Sequence, residues 1–113
     1  MTSHDDKVYL QHILDSIENI EDFTKDCIDS FHKDTKSWFA TTRALQIMAE
    51  STTKISEQTK AKIPNIDWQR IRGFRNILVH DYLGDIDYKI IRAIIEIELP
   101  KLKQESKKLL LGL

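Results

Sequence analysis

Glycine and proline are scarce in this chain, three and two respectively in 113 residues. A sheet-rich fold needs turn residues at each reversal, so the scarcity argues against one. Cysteine is scarcer still. Cys27 stands alone, so an internal disulfide is excluded and no pair of cysteines exists to build a zinc site. No apolar run approaches the roughly 20 residues of a membrane span, and the early residues lack the charged-then-apolar order of a secretory leader. What is present is a 41% hydrophobic complement, enough for one core, and 31% charged residues to solvate its surface. The expectation is one mostly helical domain over residues 1–113, cytoplasmic and without membrane association.

The net charge of −1 hides an uneven distribution. Residues 1–35 hold nine acids against three lysines, a local balance of −6. Residues 54–75 hold Lys54, Lys60, Lys62, Arg70, Arg72 and Arg75 against Glu57 and Asp67, a balance of +4. A polyanion would be drawn to the second segment and repelled by the first, although two solvated helix faces would give the same count.

Apolar residues recur at steps of three and four from Leu10 through Ile13, Ile17 and Ile20 to Phe31. The spacing predicts a helix from about 5 to about 31, with Ser3 as a weak cap. Asp34 or Thr35 suits the cap of a second helix, with Trp38, Thr41, Ala44, Leu45, Met48 and Ile55 as its buried stripe and an end near Ile55–Glu57. Ser56–Asn65 is polar, Lys-rich and closed by Pro64, which reads as a loop. Asn65 or Asp67 caps a third helix that frays around His80–Gly84. Asp85 or Asp87 caps a fourth, with Ile90, Ile91, Ile94, Ile95 and Leu99 as its stripe and a kink expected at Pro100, after which Leu102, Leu109 and Leu110 resume the helix. Trp38, Phe39, Trp68 and Phe74 fit the core rather than a base-stacking surface, and His4, His12 and His32, which lack the mutual spacing of metal ligands, read as surface residues. The architecture is a helical bundle whose four apolar stripes exceed what so short a chain hides alone, so a homodimer is expected.

Residues 70–82 carry the polar chemistry: Arg75, Asn76, His80, Asp81 and Tyr82 crowd one helix end. On an α-helix Arg75 and Tyr82 share a face within about 20°, whereas Arg75 and His80 point about 140° apart. A straight helix cannot aim Arg75 and His80 at one small group. Either the helix unwinds by His80 or two copies of the motif meet across a dimer axis. Such residues suit phosphate chemistry without a metal. Arginine offers a planar charged fork to a phosphodiester, and histidine gives or takes a proton near neutrality. RNA brings its own nucleophile, the 2′-hydroxyl. The plainer alternative has His80 at a helix C-terminus, where a cation is favoured, and Arg75 paired with a nearby acid.

At this motif the chain resembles the HepT branch of the HEPN superfamily, the higher eukaryote and prokaryote nucleotide-binding domains. That signature is Arg, four to six residues, then His, with a polar residue after the Arg and, in HepT proteins, a Tyr two residues past the His. Arg75, Asn76, His80 and Tyr82 supply these elements. Ile63-Pro64, Trp68 and Gly73-Phe74-Arg75-Asn76 resemble the approach to the motif, the run from Arg43 to Glu50 resembles the family's second helix, and Glu98 to Leu102 its last. Arg72 stands where many relatives carry a small residue, and Ser51-Thr52-Thr53 is more polar than usual.

The resemblance implies an all-α up-and-down bundle of four to five helices that dimerises and acts as a metal-independent RNA endonuclease without a cofactor. It is the toxin of a toxin–antitoxin pair, its partner an MntA-like minimal nucleotidyltransferase that silences it by transferring AMP to Tyr82. In the roles so implied, Arg75 binds the scissile phosphate, His80 is the general acid or base, and Asn76 orients one of them. Arg70, Arg72 and Lys62 are candidate RNA-backbone contacts. A non-catalytic HEPN binding module that pairs with a nucleotidyltransferase, and a purely structural dimerisation domain, are the competing readings.

Overall fold

The structure, a computed structural model, describes residues 4–80 and 86–112. Ser3, Asp81, Tyr82, Gly84 and Asp85, all singled out above, lie outside the described residues. Every regular element among the described residues is helical. These are α1 (His4–Thr24), a 3₁₀ turn (Phe31–Lys33), α2 (Thr35–Lys54), the single turn α3 (Glu57–Lys60), α4 (Trp68–His80), α5 (Tyr88–Ala93) and α6 (Leu99–Gly112). A π-helical turn over Ile94–Glu98 joins α5 to α6. The all-α bundle expected from the periodicity is what forms.

The long α1 and α2 pair antiparallel, since Asp6 at the start of one meets Ser56 just past the end of the other. Leu10, Ile13, Ile17 and Ile20 of α1 lie fully buried against Leu45 and Met48 of α2, with Ile71 and Phe74 of α4 and Ile91, Leu99 and Leu102 of the last helices closing the core. The α2 boundaries follow the sequence. The Asp34 carboxylate accepts hydrogen bonds from the Ser37 amide (3.3 Å) and hydroxyl (2.6 Å), and the helix ends before Ile55.

Four expectations are corrected. Helix α1 stops at Thr24 rather than near Phe31, and the chain goes on in turns, with the Cys27 amide donating to the Thr24 carbonyl (3.1 Å) and the Phe31 amide to the Cys27 carbonyl (2.7 Å). The Thr24 hydroxyl bonds back to Ile20 (2.8 Å), and Asp22 lies in the last turn, at the negative end of the helix dipole, with no cation in that turn. The segment expected to be loop holds α3, because the Ser56 hydroxyl caps it by accepting from the Thr59 amide (3.2 Å). The last helix resumes through Pro100 as expected. The π turn widens the ladder just ahead of it, the Leu99 amide reaching back to Ile94, and the rod continues. Phe74 is buried and Trp38 half-buried on Phe31, but Phe39 is 65% exposed. Adjacent helical positions point about 100° apart, so Trp38 takes the core and Phe39 faces water. His32, read as a surface residue, is half-buried and stacks on Tyr88 with ring centroids 3.7 Å apart.

Asp6 is 1% exposed and clasps the two ends of the α1–α2 pair, accepting from the Ser56 amide (3.0 Å), the Ser56 hydroxyl (2.7 Å) and the Thr59 hydroxyl (2.6 Å). Burial pushes its carboxyl up. The hydroxyls of Thr59 and Ser56, the Ser56 amide and the charge of Lys62 outweigh burial and hold it below the ordinary value of 3.8. A carboxylate with a depressed native pKa stabilises the fold fully above its unfolded pKa, and that contribution fades as pH falls through the native value. Asp6→Asn is therefore expected to lower the unfolding free energy at neutral pH by about 1–3 kcal/mol. Urea titrations taken to below pH 3.8 should lose less stability in the variant than in the wild type; equal acid sensitivity would exclude the clasp as its source.

Candidate functional site

The site is built on α4, which Asp67 starts by accepting the Arg70 amide on its carboxylate (3.0 Å). Ile71 and Phe74 give this helix its buried face, packed near Met48, Ile94 and Leu102. That packing sets the rotation of the helix and brings Arg75, next after Phe74, to the edge of α2.

There the Arg75 side chain is about one-third exposed, and its guanidinium meets two acceptors. Nη2 donates to Glu50 Oε1 of α2 and Nη1 to Asn76 Oδ1, each at 3.3 Å. Nε is buried with no hydrogen-bond partner among the described residues. A guanidinium carries five N–H donors. Two long bonds orient this one without filling it, which leaves it able to take a phosphate.

Asn76 is exposed one helical turn before His80, and His80 is exposed as the last residue of α4. Asn76 thus contacts Arg75 directly and shares a stripe with His80. The helix keeps its form through His80, so Arg75 and His80 point apart and unwinding is not what brings them together. Both components of the plainer alternative are present: Arg75 is paired with an acid and His80 closes a helix.

The outlying basic candidates do not converge on the motif. Arg70 reaches Glu98 (Nε–Oε1 3.6 Å), and Lys62 belongs to the neighbourhood of Asp6. Arg72 is exposed on α4. Tyr82 lies outside the described residues. Among the described residues, no group of three or more His, Cys, Asp or Glu is placed to hold a metal ion, and no helix is long and apolar enough to cross a membrane.

Glu50 also lines a cleft of about 400 Å³ between α1 and α2, with Tyr9, Arg43, Ile47, Ser51 and Lys54. Sequence reasoning passed over Arg43 and Lys54 in this setting. Their signal was available: Arg43, Ile47, Glu50 and Lys54 recur at helical spacing on the face of α2 opposite its apolar stripe.

The family described as ribonuclease HepT-like matches residues 13–109. A Methanocaldococcus jannaschii protein named "Putative RNase MJ1380" is 37% identical over 106 residues, covering 93% of this chain and 96% of its own. A Thermococcus cleftensis protein named "Probable ribonuclease HepT" is 36% identical over 108 residues, covering 95% and 96%. No solved structure matches the chain. With the match running from α1 to α6 and through Arg75, Asn76 and His80, this chain belongs to the HepT-like ribonuclease family.

Proposed function

We propose that the chain is the toxin of a toxin–antitoxin pair and works as a metal-independent RNA endonuclease, with Arg75 and His80 as catalytic residues and Asn76 as their aligner. The observation that carries this reading is the Arg75 guanidinium, held by Glu50 and Asn76 with donor capacity to spare. In the proposed step one His80 takes the proton of the RNA 2′-hydroxyl. The freed oxygen bonds to phosphorus as the bond to the 5′-oxygen breaks, and the leaving oxygen takes a proton from a second His80. Arg75 neutralises the charge that builds on the phosphoryl oxygens. The products are a 2′,3′-cyclic phosphate end and a 5′-hydroxyl end.

The second His80 comes from a second copy of the chain. An apolar groove of about 530 Å³ runs between α4 and α5, lined by Gly73, Ile77, Ile90 and Ala93, with Ile77 41% and Ile90 42% exposed. Gly73 sits mid-helix, where glycine costs about 1 kcal/mol against alanine, yet a Cβ there would meet nothing within 4 Å. Its own chain gives no reason for the glycine, whereas close approach of another backbone would. Gly73 and His80, seven residues apart, share a face within about 20°. A copy seated over Gly73 therefore brings the two His80 residues to one seam.

In the same reading an MntA-like nucleotidyltransferase antitoxin silences the enzyme by transferring AMP to Tyr82, two residues past His80 in sequence. The added phosphate would compete with RNA for Arg75.

Protein made without a partner, in EDTA, should cleave RNA, and His80→Ala should slow cleavage by about 10²–10⁴-fold while keeping its helical circular dichroism. Intact mass should be recorded beside the mapped RNA ends. Silence from protein of unmodified mass would favour the non-catalytic binding module; silence with added AMP calls for the assay on Tyr82→Phe.

Ile77→Glu should convert a dimer to monomer by light scattering and lose cleavage with it. A wild-type chain that is monomeric at assay concentrations would sink the two-copy site.

A further inference from the structure

The cleft between α1 and α2 brings cationic, apolar and aromatic side chains together on one surface. Arg43 and Lys54 stand exposed at its two ends, and among the described residues neither forms an ion pair. They are eleven positions apart on one helix, a separation of about 16 Å. Between them lie the 40% exposed Ile47 and the carboxylate of Glu50, and Tyr9 of α1 forms the facing wall. Glu50 is the link to chemistry, because this cleft residue also accepts from Arg75 at 3.3 Å.

We infer that this cleft is the track along which the RNA strand reaches Arg75, with Arg43 and Lys54 as phosphate contacts and Tyr9 as an aromatic wall beside the bases. The inference rests on the nuclease reading above and adds the path of its substrate. Arg43 and Lys54 then flank Glu50, and Glu50 reaches Arg75, so one flexible strand running past Glu50 meets the three cations at phosphates that are not adjacent. Glu50 occupies the position between them in the free protein. An incoming phosphate competes with this carboxylate for Arg75, so Glu50 is a positioning residue that keeps the guanidinium aimed and yields it to substrate. The ligand class follows from the chemistry: separated single cations with apolar and aromatic surface between them fit a flexible polyanion carrying flat bases better than a compact anion.

The test is fluorescence anisotropy with a short single-stranded 2′-O-methyl RNA, which binds but cannot be cleaved by 2′-hydroxyl attack, across a salt series. Each phosphate contact contributes about 0.7 to the slope of log affinity against log salt for a single strand. Arg43→Gln and Lys54→Gln should each weaken binding several-fold and lower that slope by about 0.7. Lys107→Gln removes the same charge from an exposed position on α6 and should leave the slope unchanged. Glu50→Gln, with the competing charge gone, should tighten binding. If Arg43→Gln and Lys54→Gln keep the wild-type slope while the wild type binds and cleaves RNA, the track is overturned and the nuclease reading stands. If wild type of unmodified mass neither binds nor cleaves RNA, the nuclease reading falls and the track with it.

Discussion

Two apolar side chains, Ile71 and Phe74, decide what the rest of the molecule can do, because their burial fixes the rotation of α4 about its own axis. Helical geometry then leaves no freedom: Arg75 must emerge against α2, and Gly73, Ile77 and His80 must face away from the core. The charged groups do not choose this arrangement. Hydrophobic burial chooses it, and the ion pair to Glu50 only trims the last few degrees of the guanidinium. An error in this packing would cost both the pairing of Arg75 and the exposure of His80 at once.

The polar contacts divide into those that close the fold and those that leave chemistry open. Asp6 is surrounded by hydroxyl and amide donors at 2.6–3.0 Å, and such a short, multiply satisfied set holds helix ends together. Arg75 has longer bonds, which use two of the four N–H donors on its terminal nitrogens. One is a finished structural contact. The other is oriented but unsaturated, the condition a binding group needs before its ligand arrives.

Much of this was legible in the sequence wherever a local rule coincided with a tertiary one. The α2 limits were readable because Asp34 caps the helix and the stripe through Thr41, Leu45 and Met48 agrees with it. The end of α1 was not, since apolar spacing continues through Cys27 and Ile28 while the backbone has already turned; periodicity records which side faces the core, not which hydrogen bonds form. Phe39 was misread for a similar reason, as a helix only one side buried cannot bury two adjacent aromatics. The motif residues on α4 could be picked out, together with the angular conflict between Arg75 and His80. The partner of Arg75 could be guessed only as some nearby acid, because the contact spans 25 positions and depends on how α2 and α4 cross.

The π turn at Ile94–Glu98 carries a consequence for how this chain can change length. Buried positions advance by three or four residues along the last rod except between Ile94 and Leu99, where the step is five. The widened turn absorbs that surplus residue, so Leu99, Leu102, Ser106 and Leu109 stay in phase with the core. Removing one residue there would leave a step of four, which an ordinary α-helix carries, so Leu102 and Leu109 would keep facing the core. A one-residue deletion further along, where there is no surplus to remove, would swing everything after it by about 100°. The π turn is thus the one place among the described residues of the last rod where the chain can lose a residue and keep its buried face.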